Sequence, residues 1–422
     1  MKVTVGRALV IGCSTWLIVA LGVWFSTLFV PRTEYPAFAG FLIKQPPKNV
    51  LNGFASWDGA WHSEIARDGY RYKPGSGSHV VFFPLYPLLG RVLSTLLRCD
   101  ETVALLLVSN ACFLGALCVL HRYACERKPA GSPAAAELAL LACCVLPASF
   151  FFRMAYAESL FLLLTLLIVY GMQARWSDWW LAALVGAATG TRAVGVVLVL
   201  VFAHHLWTSR RSGFRDEVPT AEPSHRAKAG TDFALLRGLC LLAVSCWGLL
   251  DFMAYLWLEY GDPLVWQTNH AAYNRLHDTP LGERLLSLLS LRPIWSVFVP
   301  GSPGYWADWD AVTPAVWSLR LVNPIYFVAA CGLVAYGAWS RTLETRDVLV
   351  GALLLLVPYV TKGHDNAMLG FARYSSVVYP MYLVAGDILA RFPRPLTDAM
   401  LVVSAVLMSL YSALFAAWYL FI

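Results

Sequence analysis

The chain has 422 residues, 58% hydrophobic and 14% charged, with 32 Lys and Arg against 26 Asp and Glu and a formal charge of +6. Its mean hydropathy is +0.59, and a soluble chain carries about a quarter charged residues, so the apolar excess outruns any single core and argues against a soluble enzyme. The basic residues are spread over short loops and not gathered in a patch, which argues against a nucleic-acid partner.

A helix needs roughly 20 residues to cross a ~30 Å hydrocarbon layer. Apolar runs at 8–30, 102–121, 137–150, 158–173, 179–190, 193–207, 233–257, 313–337, 348–361, 374–390 and 397–420 therefore predict an all-α polytopic membrane protein. The expectation is one integral-membrane domain over 1–422 with about eleven transmembrane helices. The first run follows Lys2 and Arg7 and is too long for a signal-peptide core. It reads as an uncleaved span, although Ala37-Phe38-Ala39 looks like a cleavage site.

Residues 31–101 then form a long outer segment. Within it, 56–70 reads Ser-Trp-Asp-Gly-Ala-Trp-His-Ser-Glu-Ile-Ala-Arg-Asp-Gly-Tyr. Ser56 or Asp58 can cap a helix of about three turns that stops at Gly69. Trp57, Trp61 and Ile65 share one face, suited to the headgroup boundary. Asp58 and His62 lie one turn apart, a carboxylate beside an imidazole that can accept a proton. Asp58 thus has two readings, a helix cap or a base. Pro84 and Pro87 delay the next helix to about Tyr86; ending near Leu97, with Arg91 inside it, it is too short to cross and is expected to lie at the interface.

Further along, Arg153 and Glu158 flank a short outer turn, and Arg192 splits the apolar run from Trp179 to Leu206 at Gly190-Thr191. The stretch 208–232 reads as a cytoplasmic linker and 258–312 as a second outer segment. Lys362-Gly363-His364-Asp365-Asn366 precedes Arg373 and Tyr374. Charges at membrane depth are costly and usually face a polar cavity, so these basic groups point to an anionic ligand, such as a phosphate, at the outer surface. For any one of them the alternative is a snorkelling or ion-paired helix end, and Arg192 could equally bond carbonyls freed at its helix break. Asp251, inside an apolar run, is open to either reading. Asp308 and Asp310 have a D-x-D spacing but sit in a Trp-rich loop where solvated carboxylates are the commoner outcome. Cys112, Cys118, Cys143, Cys144, Cys240, Cys246 and Cys331 lie in apolar runs and are expected as free thiols. No metal site is expected, and no Walker or H-E-x-x-H pattern is present.

Orientation follows from the short loops. With the N-terminus inside and the Tyr86–Leu97 helix not crossing, Arg122, Arg127, Lys128, Arg175, Arg210, Arg211, Arg215, Arg226, Lys228, Arg341, Arg346, Arg391 and Arg394 face the cytoplasm. The outer short loops keep only Arg153, Arg192, Lys362 and Arg373.

Four strings together carry a resemblance: Trp57-Asp58-Gly59 with Ile65-Ala66 and Gly69-Tyr70; Phe82-Phe83-Pro84-Leu85-Tyr86-Pro87-Leu88-Leu89; Glu158-Ser159-Leu160-Phe161; and Thr191-Arg192. They resemble the PIG-V-type mannosyltransferases, which act in GPI-anchor synthesis in eukaryotes, have bacterial relatives and belong to the GT-C class of membrane glycosyltransferases. The resemblance implies a GT-C-like bundle with interfacial helices in the first outer loop. It implies transfer of a hexose, mannose in the named members, from a polyprenyl-phosphate-linked sugar donor to a lipid or glycan acceptor hydroxyl on the non-cytoplasmic face, with inversion and without a cofactor. The class's early outer-loop acid maps onto Asp58. His62 departs from the Tyr or Phe of many relatives. The compact chain favours a bacterial cell membrane, with the endoplasmic reticulum membrane the location if eukaryotic.

Such a transfer needs a base for the attacking hydroxyl and positive groups for the departing phosphate. Asp58 is the expected base. Arg373, Arg192 and Arg153 are the expected phosphate and sugar contacts, Trp57 and Tyr86 the stacking platforms, with His62, Glu158 and Tyr374 completing the substrate site. The competing class is a lipid-linked-sugar transporter or flippase, which would show a polar path and often internal pseudo-symmetry; the sequence shows no internal repeat.

Overall fold

The computed structural model describes residues 2–33, 45–127, 132–215, 225–273, 279–302, 304–306, 319–364 and 368–419. All regular elements among them are helical. In chain order they are α1 (Lys2–Phe29), α2 (Val50–Phe54), α3 (Asp58–Asp68), α4 (Leu85–Leu97), α5 (Glu101–Glu126), α6 (Pro133–Val145), α7 (Glu158–Gln173), α8 (Asp178–Thr191), α9 (Val196–Arg215) and α10 (His225–Val244). There follow α11 (Trp247–Tyr260), α12 (Val265–Thr268), α13 (Leu281–Leu289), α14 (Arg292–Trp295), α15 (Leu319–Trp339), α16 (Thr345–Pro358), α17 (Phe371–Ser376), α18 (Tyr379–Leu389) and α19 (Arg394–Ala416).

Among the described residues four helices are long and apolar enough to cross a membrane, or six if each of two bent pairs counts as one span. The expected count of eleven is not reproduced as eleven full-length helices. Several expected spans are short or broken instead. The run 137–150 turns by 75° after α6, where Pro147 opens a 3₁₀ segment to Arg153, and the run 233–257 bends by 56° between α10 and α11. The run 374–390 is divided into α17 and α18.

α1 lies along α19, drawn close by small residues: Ser409 Oγ donates to the Ile18 carbonyl at 3.2 Å and Ser412 Oγ to that of Val19 at 3.5 Å. α5 runs against α7, and α18 against α6, forming the main core. α4 has 13 residues, about 20 Å, and does not reach across a bilayer, as its sequence predicts. Its Arg91 has a local purpose. Nε donates to the Ala66 carbonyl at 2.6 Å and Nη2 to that of Arg67 at 3.1 Å, so a guanidinium satisfies the open carbonyls at the C-terminus of α3. α3 is thereby fixed on α4, with α4 in turn on α5. A second core under α3 is aromatic, built from Trp57, Trp61, Phe150, Phe151, Tyr156, Phe415 and Trp418.

Candidate active site

Trp57, the residue before α3, has φ +59°, a conformation that bulky side chains rarely adopt. Its indole lies tilted by 32° against Trp418, with centroids 5.1 Å apart. The reversal at Trp57 delivers Asp58 to the first turn of α3, where no side chain caps the helix. Asp58 is therefore not a helix cap, and neither is Ser56, whose hydroxyl donates backwards to the Gly53 carbonyl at 3.3 Å. The Asp58 backbone N–H donates to Tyr156 Oη at 3.0 Å, and that hydroxyl donates on to the Ser56 carbonyl at 3.2 Å.

The Asp58 carboxylate turns instead to Arg373, whose Nη1 donates to Oδ2. Arg373 Nε also lies 3.2 Å from Glu158 Oε1, an ion contact not aligned as a hydrogen bond. Glu158 Oε1 in turn accepts from Arg192 Nη1. Four residues spread over more than 300 positions thus form one alternating chain, Asp58–Arg373–Glu158–Arg192, with two negative and two positive charges. Helix ends explain the placement. Both carboxylates sit in first turns, of α3 and α7, and Arg192 follows the last residue of α8, where the helix dipole favours each sign. Arg373 lies on α17, whose start is tied by the Ala372 N–H to Asn323 Oδ1 at 2.9 Å.

The tetrad is largely dry, with side-chain exposures of 9% for Arg373, 3% for Glu158 and 13% for Arg192, and opens at Asp58, 19% exposed. Among the described residues nothing bonds Asp58 Oδ1. Buried charges require paired partners, and here the pairing leaves one carboxylate oxygen facing outward. Tyr374 lies alongside: the guanidiniums of Arg373 and Arg192 and the Lys362 ammonium stand 5.3, 5.7 and 5.9 Å from its ring centroid.

The other expected site residues are placed differently. His62 does not pair with Asp58; its ring meets Phe82, Tyr86 and Tyr156 edge-on at 5.3, 5.0 and 6.4 Å, and burial pushes its imidazole down to about 4. Tyr86 is fully buried, its hydroxyl donating to the Leu105 carbonyl at 3.0 Å, so its ring lines no open platform. Trp57 is 9% exposed. Trp57, Trp61 and Ile65 share a face, but that face packs into protein and not towards headgroups, because α3 lies on an aromatic core.

Arg153 stands apart from the tetrad. Nη2 donates to the Gly12 carbonyl at 2.8 Å and to Thr15 Oγ1 at 3.1 Å, and the guanidinium lies 4.3 Å over Phe113. It borders an apolar groove of about 400 Å³ between α1, α2 and α5. Asp251 is exposed on α11. Asp308 and Asp310 lie outside the described residues. All ten cysteines are free thiols. Among the described residues no three His, Cys, Asp or Glu side chains are grouped to hold a metal ion. Sequence reasoning passed over Tyr156 and Asn323, the two residues that fix the backbones at Asp58 and Arg373. Tyr156, a polar aromatic two residues before Glu158 in an outer turn, carried a usable signal; Asn323, inside an apolar run beside Pro324, carried only its polarity.

The family model described as Mannosyltransferase (PIG-V) matches residues 20–262, more than half of the chain. None of the curated proteins compared with the chain matches it. Among solved structures, the chain is similar to the Archaeoglobus fulgidus oligosaccharyltransferase in complex with zinc and sulfate, at 13% identity and a TM-score of 0.44, covering 96% of this chain and 53% of that one. The apo form of that protein gives 14% identity, a TM-score of 0.44 and coverages of 97% and 56%. The archaeal oligosaccharyltransferase AglB from the same organism, in complex with an inhibitory peptide and a dolichol-phosphate, gives 14%, 0.41, 96% and 55%. The chain spans about half the length of these structures.

Proposed function

The chain belongs to the PIG-V mannosyltransferase family, and from that premise we propose that it is an inverting membrane glycosyltransferase. It moves a hexose, mannose by family, from a polyprenyl-phosphate carrier to the hydroxyl of a lipid or glycan acceptor on the non-cytoplasmic face. The observation that carries this reading is the Asp58 carboxylate, oriented through Oδ2 by Arg373 and open at Oδ1 at the rim of a buried charge chain.

In this reading the acceptor oxygen attacks the anomeric carbon while its proton passes to Asp58 Oδ1. The bond from that carbon to the phosphate oxygen breaks, its electron pair staying on oxygen, and the products are the glycosylated acceptor and polyprenyl phosphate. Arg373 is a positioning residue that aims the carboxylate, and Glu158 with Arg192 holds Arg373 in turn. A preset base needs little reorganisation at the moment of reaction.

The test is transfer of labelled mannose from polyprenyl-phosphate-mannose to a mixed acceptor pool by the purified protein in lipid nanodiscs. Asp58→Asn keeps size and shape but cannot take the proton, and is expected to slow transfer per folded molecule by about 10²–10⁴, with some loss of thermal stability as Arg373 loses a charged partner. Turnover by the Asn variant within about twofold of wild type removes Asp58 from the mechanism. Movement of the lipid-linked sugar across a vesicle without transfer makes the protein a transporter instead.

A further inference from the structure

The two arginines nearest the base have little charge left to offer a ligand. Asp58 and Glu158 together carry two negative charges, and Arg373 and Arg192 two positive ones, so the tetrad is neutral within itself. Pulling either guanidinium away from its carboxylate onto an incoming anion would leave that carboxylate desolvated and unpaired, a costly exchange.

Lys362 is the exception. It lies on a π-helical turn, residues Tyr359–Gly363, directly after Pro358, where the missing proline N–H loosens the α-helical pattern. Tyr359 Oη donates to the Leu288 carbonyl at 2.8 Å and pins that turn against α13. The Lys362 ammonium is half-buried and has no carboxylate within ion-pair distance among the described residues. It stands beside the ring of Tyr374, on which Arg192 and Arg373 also converge.

We propose that the phosphate of the lipid-linked sugar is held by Lys362, with Tyr374 as the floor of the subsite, and not by Arg373 or Arg192. The proposal rests on the glycosyltransferase reading for the identity of the ligand, but the charge argument stands on the structure alone. Adding one phosphodiester anion to a centre whose net charge is +1 neutralises it. Asp58 is held by Arg373 and Lys362 stands at the Tyr374 ring, so the base and the phosphate are served by different cations. The nearby His270 imidazole is pushed well below its ordinary value by burial and by the Lys362 charge.

The experiment measures binding of a short-chain polyprenyl phosphate, the matching uncharged polyprenol and inorganic phosphate to the full chain, alongside mannose transfer. Lys362→Met is expected to weaken polyprenyl-phosphate affinity about tenfold while leaving polyprenol unaffected, and Lys362→Arg to stay within about threefold, since a phosphate accepts either cation. Arg373→Lys should lower kcat about tenfold or more yet keep affinity within about twofold. Lys73→Ala, removing an exposed lysine of the first long loop, controls for bulk charge. Folding is separated from charge by Lys362→Cys in a background lacking the other cysteines: aminoethylation of that thiol should restore affinity in the same folded sample.

Affinity unchanged in Lys362→Met, or no rescue on aminoethylation, overturns the proposal even if wild type transfers mannose normally. Inorganic phosphate binding as tightly as the lipid phosphate overturns its assignment to a lipid carrier. Lys362-dependent polyprenyl-phosphate binding without any transfer leaves the subsite standing and removes the glycosyltransferase reading.

Discussion

His62 shows how one side chain can be next to the chemistry in sequence and outside it in space. One turn after Asp58, its ring is shut among Phe82, Tyr86 and Tyr156, and Nδ1 has no hydrogen-bond partner among the described residues. Burial is the main cause of its depressed value of about 4, opposed in part by Asp58 and Glu158. The unfolded chain has an ordinary histidine near 6.5, so below that pH the unfolded state binds a proton that the folded state refuses. Stability therefore falls as pH drops from about 6.5 towards 4, by up to about 3 kcal/mol from this residue. His62→Phe removes the proton and suits the aromatic surroundings, so its thermal midpoint should gain on wild type steadily between pH 6.5 and 4.5. A pH-independent gap between the two would show that the ring is not held neutral. His270 is depressed as well, so the variant flattens the pH dependence and does not abolish it. Residue by residue, the sequence exposed Asp58, Glu158, Arg192 and Arg373 because charge in apolar surroundings stands out. It could not pair them: Asp58 and Arg373 are 315 positions apart, and the local partner it offered for Asp58 was the wrong one.

Helix junctions carry the site, so the packing of α8 on α11 bears directly on it. Gly186 and Gly190 of α8 face Gly248 of α11, and a Cβ on Gly248 would stand 2.5 Å from Gly190 N and 2.6 Å from its Cα. Those are backbone atoms with no rotamer to move aside. The helices must part, as at other small-residue crossings within membranes. Thr189 Oγ1, which accepts the Leu249 N–H at 3.2 Å, would be drawn away with them. Gly248→Ala is expected to cost about 1–3 kcal/mol and, by shifting the end of α8 where Arg192 sits, to depress transfer beyond the loss of folded protein. Thermal unfolding and activity per folded molecule check it; a stability equal to wild type would mean that the crossing is looser than the geometry shows. This crossing also explains which breaks were legible. Pro147 announces the bend after α6, whereas the bend between α10 and α11 falls in an apolar run without proline and is stabilised by the hydrogen bond that Leu249 N–H donates to Thr189 on α8, which no hydropathy pattern contains.

At the scale of the whole molecule, composition alone established a polytopic helical protein, and the positions of most apolar runs match helices. Among the described residues fewer helices are full-length than the apolar runs suggest, because a short or bent helix buried in a protein reads like a span cut short. The sidedness of the chain rests on two linked features. α4, at 13 residues, is too short to cross, and its Arg91 is spent on the end of α3; the segment 31–101 is accordingly expected on one side. The short-loop basic residues are then expected opposite it, on the cytoplasmic face. In a cysteine-free background, Lys73→Cys in the first long loop and Thr220→Cys in the basic linker should therefore label oppositely. A membrane-impermeant maleimide applied to sealed right-side-out vesicles should reach position 73 at once and position 220 only after permeabilisation. The reverse pattern would place the Asp58 site in the cytoplasm, where the non-cytoplasmic acceptor and donor proposed for it could not meet.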